Sequence, residues 1–123
     1  MAKIMVVDDS ATVRAQVSRA LTQAGFETVQ AVDGLDAFNK VTTSDADVAL
    51  IVCDVNMPNM DGLTFLKNIK ASPTHKFTPV IMLTTESQEA KKAEGKAAGV
   101  KAWVVKPFKP AEMLVAVSKL IAP

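Results

Sequence analysis

Five short apolar runs punctuate this chain: Ile4–Val7, Thr28–Val32, Val48–Cys53, Val80–Leu83 and Ala102–Val105. Their starts lie roughly 20 to 30 residues apart, too far for tight hairpins and far enough for a helix to cross over between parallel strands. Four of the runs are apolar at nearly every position, as in parallel strands covered on both faces. The second run, Thr28-Val29-Gln30-Ala31-Val32, mixes in polar residues and reads as an edge strand. Right-handed crossovers and an edge second strand predict a doubly wound five-stranded parallel α/β sheet of order 2-1-3-4-5.

The segments between the runs read as five helices. After Ser10, the apolar residues Val13, Val17, Ala20, Leu21 and Ala24 recur at helical spacing, and Gly25 sits where a C-terminal cap belongs. Asp33 is placed to cap a short helix carrying Ala37, Phe38 and Val41. Leu63, Leu66 and Ile69 mark a third helix after Asp61-Gly62. A fourth, Ser87 to Ala98, offers the core only alanines, so little area anchors it; it reads equally as a candidate for movement and as a small helix in a tight space. The last opens on Pro110, a good first-turn residue, and carries Met113, Leu114, Val117, Leu120 and Ile121. Phe26 and Phe38 are expected in the core, Cys53 as a small buried hydrophobe, and His75, in a polar loop, at the surface.

Composition narrows the class. With 123 residues the chain is one domain, able to bury a core without staples. Fourteen basic against 13 acidic residues leave a net charge of +1, which gives no general attraction to nucleic acid or anionic membrane. One cysteine excludes an internal disulfide, and with one histidine it cannot make a zinc site. The N-terminus lacks a signal peptide's apolar stretch, and the longest apolar run, six residues at Val48–Cys53, is too short to cross a bilayer. A soluble, cytoplasmic, monomeric protein is expected.

Ligands of such sheets bind beyond the carboxyl ends of the strands, where the strand order reverses. There the first run ends in Asp8-Asp9, the third in Asp54, the fourth in Thr84-Thr85 and the fifth in Lys106. Two like charges about 4 Å apart repel by roughly 4 kcal/mol at an effective dielectric near 20, so three carboxylates with one amine call for a hard divalent cation. A few oxygen ligands completed by water suit Mg²⁺. A flavin phosphate would need Gly, Ser and Thr after the first strand, not paired aspartates. With the metal in place, one carboxylate can attack phosphorus and form an aspartyl phosphate, its charge neutralised by metal and lysine and hydrogen-bonded by a hydroxyl. Individually, Thr84 or Thr85 is equally well placed to cap the next helix, and Lys106 to form an ordinary ion pair.

The set Asp8-Asp9-Ser10, Asp54 through Gly62 (Asp-Val-Asn-Met-Pro-Asn-Met-Asp-Gly), Thr84-Thr85 and Lys106-Pro107-Phe108 resembles the response-regulator receiver domains, from about Ile4 to the C-terminus. The resemblance implies a flavodoxin-like fold and a site with assigned roles. Asp54 corresponds to the phosphoacceptor, which takes a phosphoryl group from a histidine kinase. Asp9, Asp54 and the Asn56 carbonyl would ligate Mg²⁺, with Asp8 acting through water. Lys106 would pair with the carboxylate and then the phosphoryl group, Thr84 would move inward to hydrogen-bond it, and the Lys106–Pro107 bond would be cis.

Within that family the chain is most like the single-domain receivers of chemotaxis, with Asn56 and Glu86 at positions that imply a short-lived phosphate. Residues 1–123 are expected to be a receiver without an output domain, acting through its surface and not as a conventional enzyme. The resemblance implies a histidine kinase as donor, and a flagellar motor switch protein and a phosphatase as further partners. Partner contact would use the fourth helix, fifth strand and fifth helix, including Lys91, Lys92, Trp103 and Lys109, although the lysines read equally as a solvated face. Trp103 stands where the family usually has Tyr, Phe or His, and reads either as the aromatic switch or as a packing or interface residue. Two alternatives remain: a phosphate sink or relay without motor contact, and a small aspartyl phosphatase. The latter usually needs a general-acid Asp where this chain has Asn56.

Overall fold

The computed structural model describes residues 2–43, 48–73, 75–84, 95–107 and 109–122. Five strands, β1 (Lys3–Val7), β2 (Glu27–Ala31), β3 (Val48–Asp54), β4 (Val80–Thr84) and β5 (Ala102–Val105), pair in parallel in the order β2-β1-β3-β4-β5. That is the expected order, with the polar second strand at an edge. Around the sheet lie α1 (Ala11–Gln23), α2 (Gly34–Thr43), α3 (Gly62–Ala71), α4 (helical residues 95–98) and α5 (Pro110–Ser118).

Continuous apolar strands need cover on both faces, and alternation divides their side chains between two cores. Ile4, Val6, Leu50, Val52, Ile81, Leu83 and Val104 turn to one face, where Val17, Leu21, Met113 and Val117 of α1 and α5 meet them. Met5, Val7, Ile51, Cys53, Val80 and Met82 turn to the other, under Ala37 and Val41 of α2 and Phe65, Leu66 and Ile69 of α3. Fully burying a residue such as Leu66 or Ile81 contributes roughly 1.5–3 kcal/mol, so both faces anchor the sheet firmly.

The predicted helix starts are observed. Ser10 Oγ accepts the Val13 N–H at 3.3 Å, Asp33 Oδ1 accepts the Asp36 N–H at 2.8 Å, and Asp61 Oδ1 accepts the Thr64 N–H at 2.8 Å. Pro110 opens α5 behind Lys109, whose side chain makes no capping bond. Gly25, past the end of α1, has φ 98°, the left-handed conformation that a glycine accepts without a Cβ clash.

Two readings are corrected. The apolar stripe of the last helix extends to Ile121, but the helix ends at Ser118. Leu120 and Ile121 pack against the core from the following turn, where both their N–H groups donate to the Val117 carbonyl, at 2.9 and 3.0 Å. His75 is not at the surface; it is only 2% exposed. Its turn is closed by hydrogen bonds from the His75 and Lys76 N–H groups to the Ser72 carbonyl and from the Thr78 N–H to the His75 carbonyl. That turn tucks the ring inward although its neighbours are polar. Phe26 is buried as expected, and Phe38 packs half-buried against the core. Most of the alanine-faced fourth helix lies outside the described residues. Among the described residues, no helix is long and apolar enough to cross a membrane.

Candidate functional site

Strand register builds the site. Val7 is level with Cys53, so Asp8, the next residue, comes level with Asp54. Asp54 is level with Leu83, which puts Thr84 one step beyond it, and Thr84 is level with Val105, which puts Lys106 one step further. Consecutive strands thus deliver two carboxylates, a hydroxyl and an amine to one end of the sheet, each from a residue that ends a strand or follows it.

The carboxylates of Asp8, Asp9 and Asp54 place oxygens within 4.8 Å of one another. Asp8 is fully buried, Asp54 is nearly so, and Asp9 is exposed. Lys106 Nζ bridges the two buried groups, 3.2 Å from Asp8 Oδ2 and 3.1 Å from Asp54 Oδ1. Burial, then the Asp8 charge, raises the Asp54 carboxyl above its ordinary range, and Lys106 only partly opposes them. Burial alone would lower the Lys106 ammonium, but Asp54 and Asp8 override it and hold Lys106 above the usual lysine range. The site therefore has more anionic oxygen than Lys106, its one amine among the described residues, can match. Three hard oxygen donors converging beside solvent fit a hard divalent cation, so the residues present suit Mg²⁺.

Other residues hold this arrangement, and the sequence did not single them out. Arg14 Nη1 donates to the Asp8 carbonyl at 2.7 Å, and the Ser10 N–H donates to Asp8 Oδ1 at 2.8 Å, fixing the turn after β1. Asn59, at φ 66°, donates from Nδ2 to Asp33 Oδ2 at 2.7 Å and ties the loop after β3 to the start of α2. The Asp36 N–H, together with Asn59, holds the Asp33 carboxyl below its usual range. A basic residue on the first helix was visible, but which carbonyl it reaches depends on the fold. Gly62 was quoted only as part of the motif, yet a β-carbon there would overlap the Asp54 carbonyl oxygen. The bare backbone lets α3 press against the Asp54 peptide, and the Gly62 N–H donates to the Val55 carbonyl at 2.8 Å.

The remaining expected residues fall as follows. Thr84 is fully buried at the end of β4, and the Lys106–Pro107 bond is cis. Asn56 lies exposed just after β3. Cys53 is buried, with its Sγ 3.3 Å from the Asp54 carbonyl oxygen, to which the thiol donates. Desolvation, then the Asp54 charge, pushes that thiol well above its usual range and keeps it inert. Trp103 is half-buried against the core on the α2 and α3 side, its indole filling the space where a Gly95 β-carbon would stand. With Lys101, Glu112, Val115 and Lys119 it lines a groove of about 340 Å³ between β5 and α5. Lys109 is exposed, with its ammonium 4.0 Å from Glu112. Glu86, Lys91, Lys92, Thr85 and Phe108 lie outside the described residues.

A family model described as the response regulator receiver domain matches residues 4–118. The chain belongs to the response-regulator receiver family. Among curated relatives, chemotaxis protein CheY-3 of Vibrio cholerae is 40% identical over 119 residues, 96% of this chain and 90% of that protein. Chemotaxis protein CheY1 of Helicobacter pylori is 39% identical over 109 residues, 88% of this chain and 87% of that one. Among solved structures, the chemotaxis response regulator CheY4 of Vibrio cholerae superposes with a TM-score of 0.90 at 43% identity, covering 98% of this chain and 99% of that one. A response regulator from Chloroflexus aurantiacus gives the same TM-score at 30% identity, covering 97% and 96%. The receiver fold is thus shared at high and at modest sequence identity.

Proposed function

We propose that this receiver is a phosphorylation switch of two-component signalling in which Asp54 is the phosphoacceptor. One observation carries the reading: the Asp54 carboxylate is nearly buried at a strand end, bracketed by Lys106 and within 4.8 Å of two further carboxylates. In the proposed step a carboxylate oxygen of Asp54 attacks the phosphorus of a phosphohistidine. The new O–P bond forms as the N–P bond breaks, and the departing imidazole keeps the electron pair and picks up a proton. Lys106, freed from Asp54 as that charge passes to the phosphoryl group, pairs with a phosphoryl oxygen. Thr84 offers its hydroxyl to another. Water attack on the same phosphorus later releases phosphate and restores Asp54. Asp9, Asp54 and the Asn56 carbonyl would hold Mg²⁺, with Asp8 through water, and the ion would neutralise charge on the transferring group.

The output is read on the face of β5 and α5, where Trp103 and Lys109 lie; Glu86, Lys91 and Lys92, expected to belong to the same surface, lie outside the described residues. The relatives are named as chemotaxis proteins, which supports a chemotaxis role; the reading extends it to a flagellar motor switch partner, a phosphatase that resets the signal and a cytoplasmic setting. Trp103, the chain's only tryptophan, reports on the switch. Its fluorescence should change when beryllofluoride, a phosphoryl mimic, is added with Mg²⁺ to the wild type, and should stay constant in Asp54→Asn. A response equal in both proteins would contradict the reading. Pull-down with phosphorylated and unphosphorylated protein then separates motor binding from a phosphate sink, and steady turnover of a small phosphomonoester would mark a phosphatase instead.

A further inference from the structure

Phe77 is 84% exposed, the most exposed of the large apolar side chains among the described residues. It lies between α3 and β4, at the amino ends of the parallel strands and so at the opposite edge of the sheet from Asp54. With Lys70, Lys76, Gly99 and Lys101 it lines a groove of about 240 Å³. These three lysines sit together in a chain whose net charge is only +1, and no carboxylate is among the described residues that line the groove.

Two of the basic groups are placed by side-chain contacts. Lys70 Nζ donates to the Thr78 carbonyl at 2.9 Å, and its Cε passes 3.4 Å from where a β-carbon on Gly99 would stand. The Lys76 ammonium lies 5.2 Å from the centre of the Phe77 ring. Partial burial, then the nearby Lys101 charge, holds Lys70 below the usual lysine range, so two mutually repelling ammonium groups share the groove. An anion would relieve that repulsion, and an apolar neighbour would cover the phenyl ring.

We propose that this groove docks an acidic protein segment, its carboxylates meeting Lys70, Lys76 and Lys101 and an apolar side chain resting on Phe77, whatever the state of the Asp54 site. The dimensions favour a protein segment over other anions. The groove admits one or two side chains, whereas a membrane surface calls for a broad apolar face and single-stranded nucleic acid for several stacking rings along a basic track. The proposal does not depend on phosphotransfer. It gives the protein a second surface, through which a partner could hold it while the Asp54 edge stays open to its donor.

The test follows backbone amide resonances of the isotopically labelled full chain. The probe is a capped hexapeptide of alternating glutamate and leucine, with a lysine–leucine peptide, inorganic phosphate and phosphatidylserine vesicles in parallel. The acidic peptide should give saturable shifts at Phe77, Gly99 and Lys101. Phe77→Ser and, separately, Lys101→Glu should weaken the binding by about tenfold or more. Mg²⁺ with beryllofluoride should leave the affinity unchanged. Absence of saturable shifts at the groove overturns the proposal, as do equal shifts with the lysine–leucine peptide or with phosphate alone. Preferential binding to vesicles replaces the protein partner with a membrane, and a beryllofluoride effect larger than the effect of Lys101→Glu overturns the independence of the two edges.

Discussion

Adding Mg²⁺ should stabilise the folded protein, by an amount that follows from the spacing of the carboxylates. At 4.8 Å, the distance within which one oxygen from each carboxylate lies, two unit charges at an effective dielectric near 20 repel by about 3.5 kcal/mol. Lys106 lies 3.1 and 3.2 Å from Asp54 and Asp8 but cannot neutralise both, and Asp9 adds a third, largely hydrated charge. A divalent cation bound only by the folded site stabilises through linkage. At tenfold excess over its dissociation constant the gain is about 1.4 kcal/mol, well within the repulsion available for relief. For a chain of this size that corresponds to a rise in Tm of about 4–6 °C. Thermal unfolding followed by circular dichroism, with Mg²⁺ titrated against a matched ionic strength of Na⁺, reads it directly. Asp54→Asn should unfold at a higher temperature than wild type without metal and respond to Mg²⁺ only weakly. A wild-type Tm that is insensitive to millimolar Mg²⁺, or an equal rise in Asp54→Asn, would refute the electrostatic reasoning.

Further perturbations test separate links of the same account. Because burial and the Asp8 charge raise the Asp54 carboxyl above its ordinary range, the folded state retains a proton that the unfolded chain releases. Metal-free stability relative to Asp54→Asn should therefore fall as pH rises from about 4 through the native titration, as read from urea midpoints of the two proteins. Lys106→Met leaves two buried carboxylates without their cation. It should cost at most about 3 kcal/mol, the low end for breaking a buried pair because 22% of the Lys106 side chain reaches water, and adding Asp54→Asn should restore most of that loss. Gly62→Ala forces a β-carbon into the Asp54 carbonyl, so it should destabilise by about 1–3 kcal/mol and slow phosphorylation more than Ala substitution at exposed Thr64 does. Gly95→Ala should displace the Trp103 indole and shift its fluorescence before any phosphoryl mimic is added.

Much of the fold was legible because parallel strands covered on both faces leave an unmistakable pattern of short apolar runs. The residue after each run, Asp8, Asp54, Thr84 or Lys106, then fell at one sheet edge once the order of strands was known. The cap at Asp33 and the helix starts after Ser10 and near Asp61 were readable because they are local in sequence. Long-range supports were not. Arg14 reaching the Asp8 carbonyl and Asn59 reaching Asp33 are single polar residues whose partners exist only after folding. His75 was misread because burial is set by a turn that hooks back on Ser72, while the local composition is polar. The basic groove at Phe77 was also hidden, since Lys70, Lys76 and Lys101 come from three separate segments and the charges nearly cancel over the whole chain.

The central claim is that Asp54 accepts a phosphoryl group. The most direct measurement incubates wild type, Asp54→Asn and Asp9→Asn with acetyl phosphate and Mg²⁺, and reads the intact mass and the modified residue by mass spectrometry. The account predicts one added phosphoryl group on the wild type, placed on Asp54, lost when Mg²⁺ is chelated, absent in Asp54→Asn and reduced in Asp9→Asn. Labelling that persists in Asp54→Asn, or proceeds equally without Mg²⁺, would contradict it.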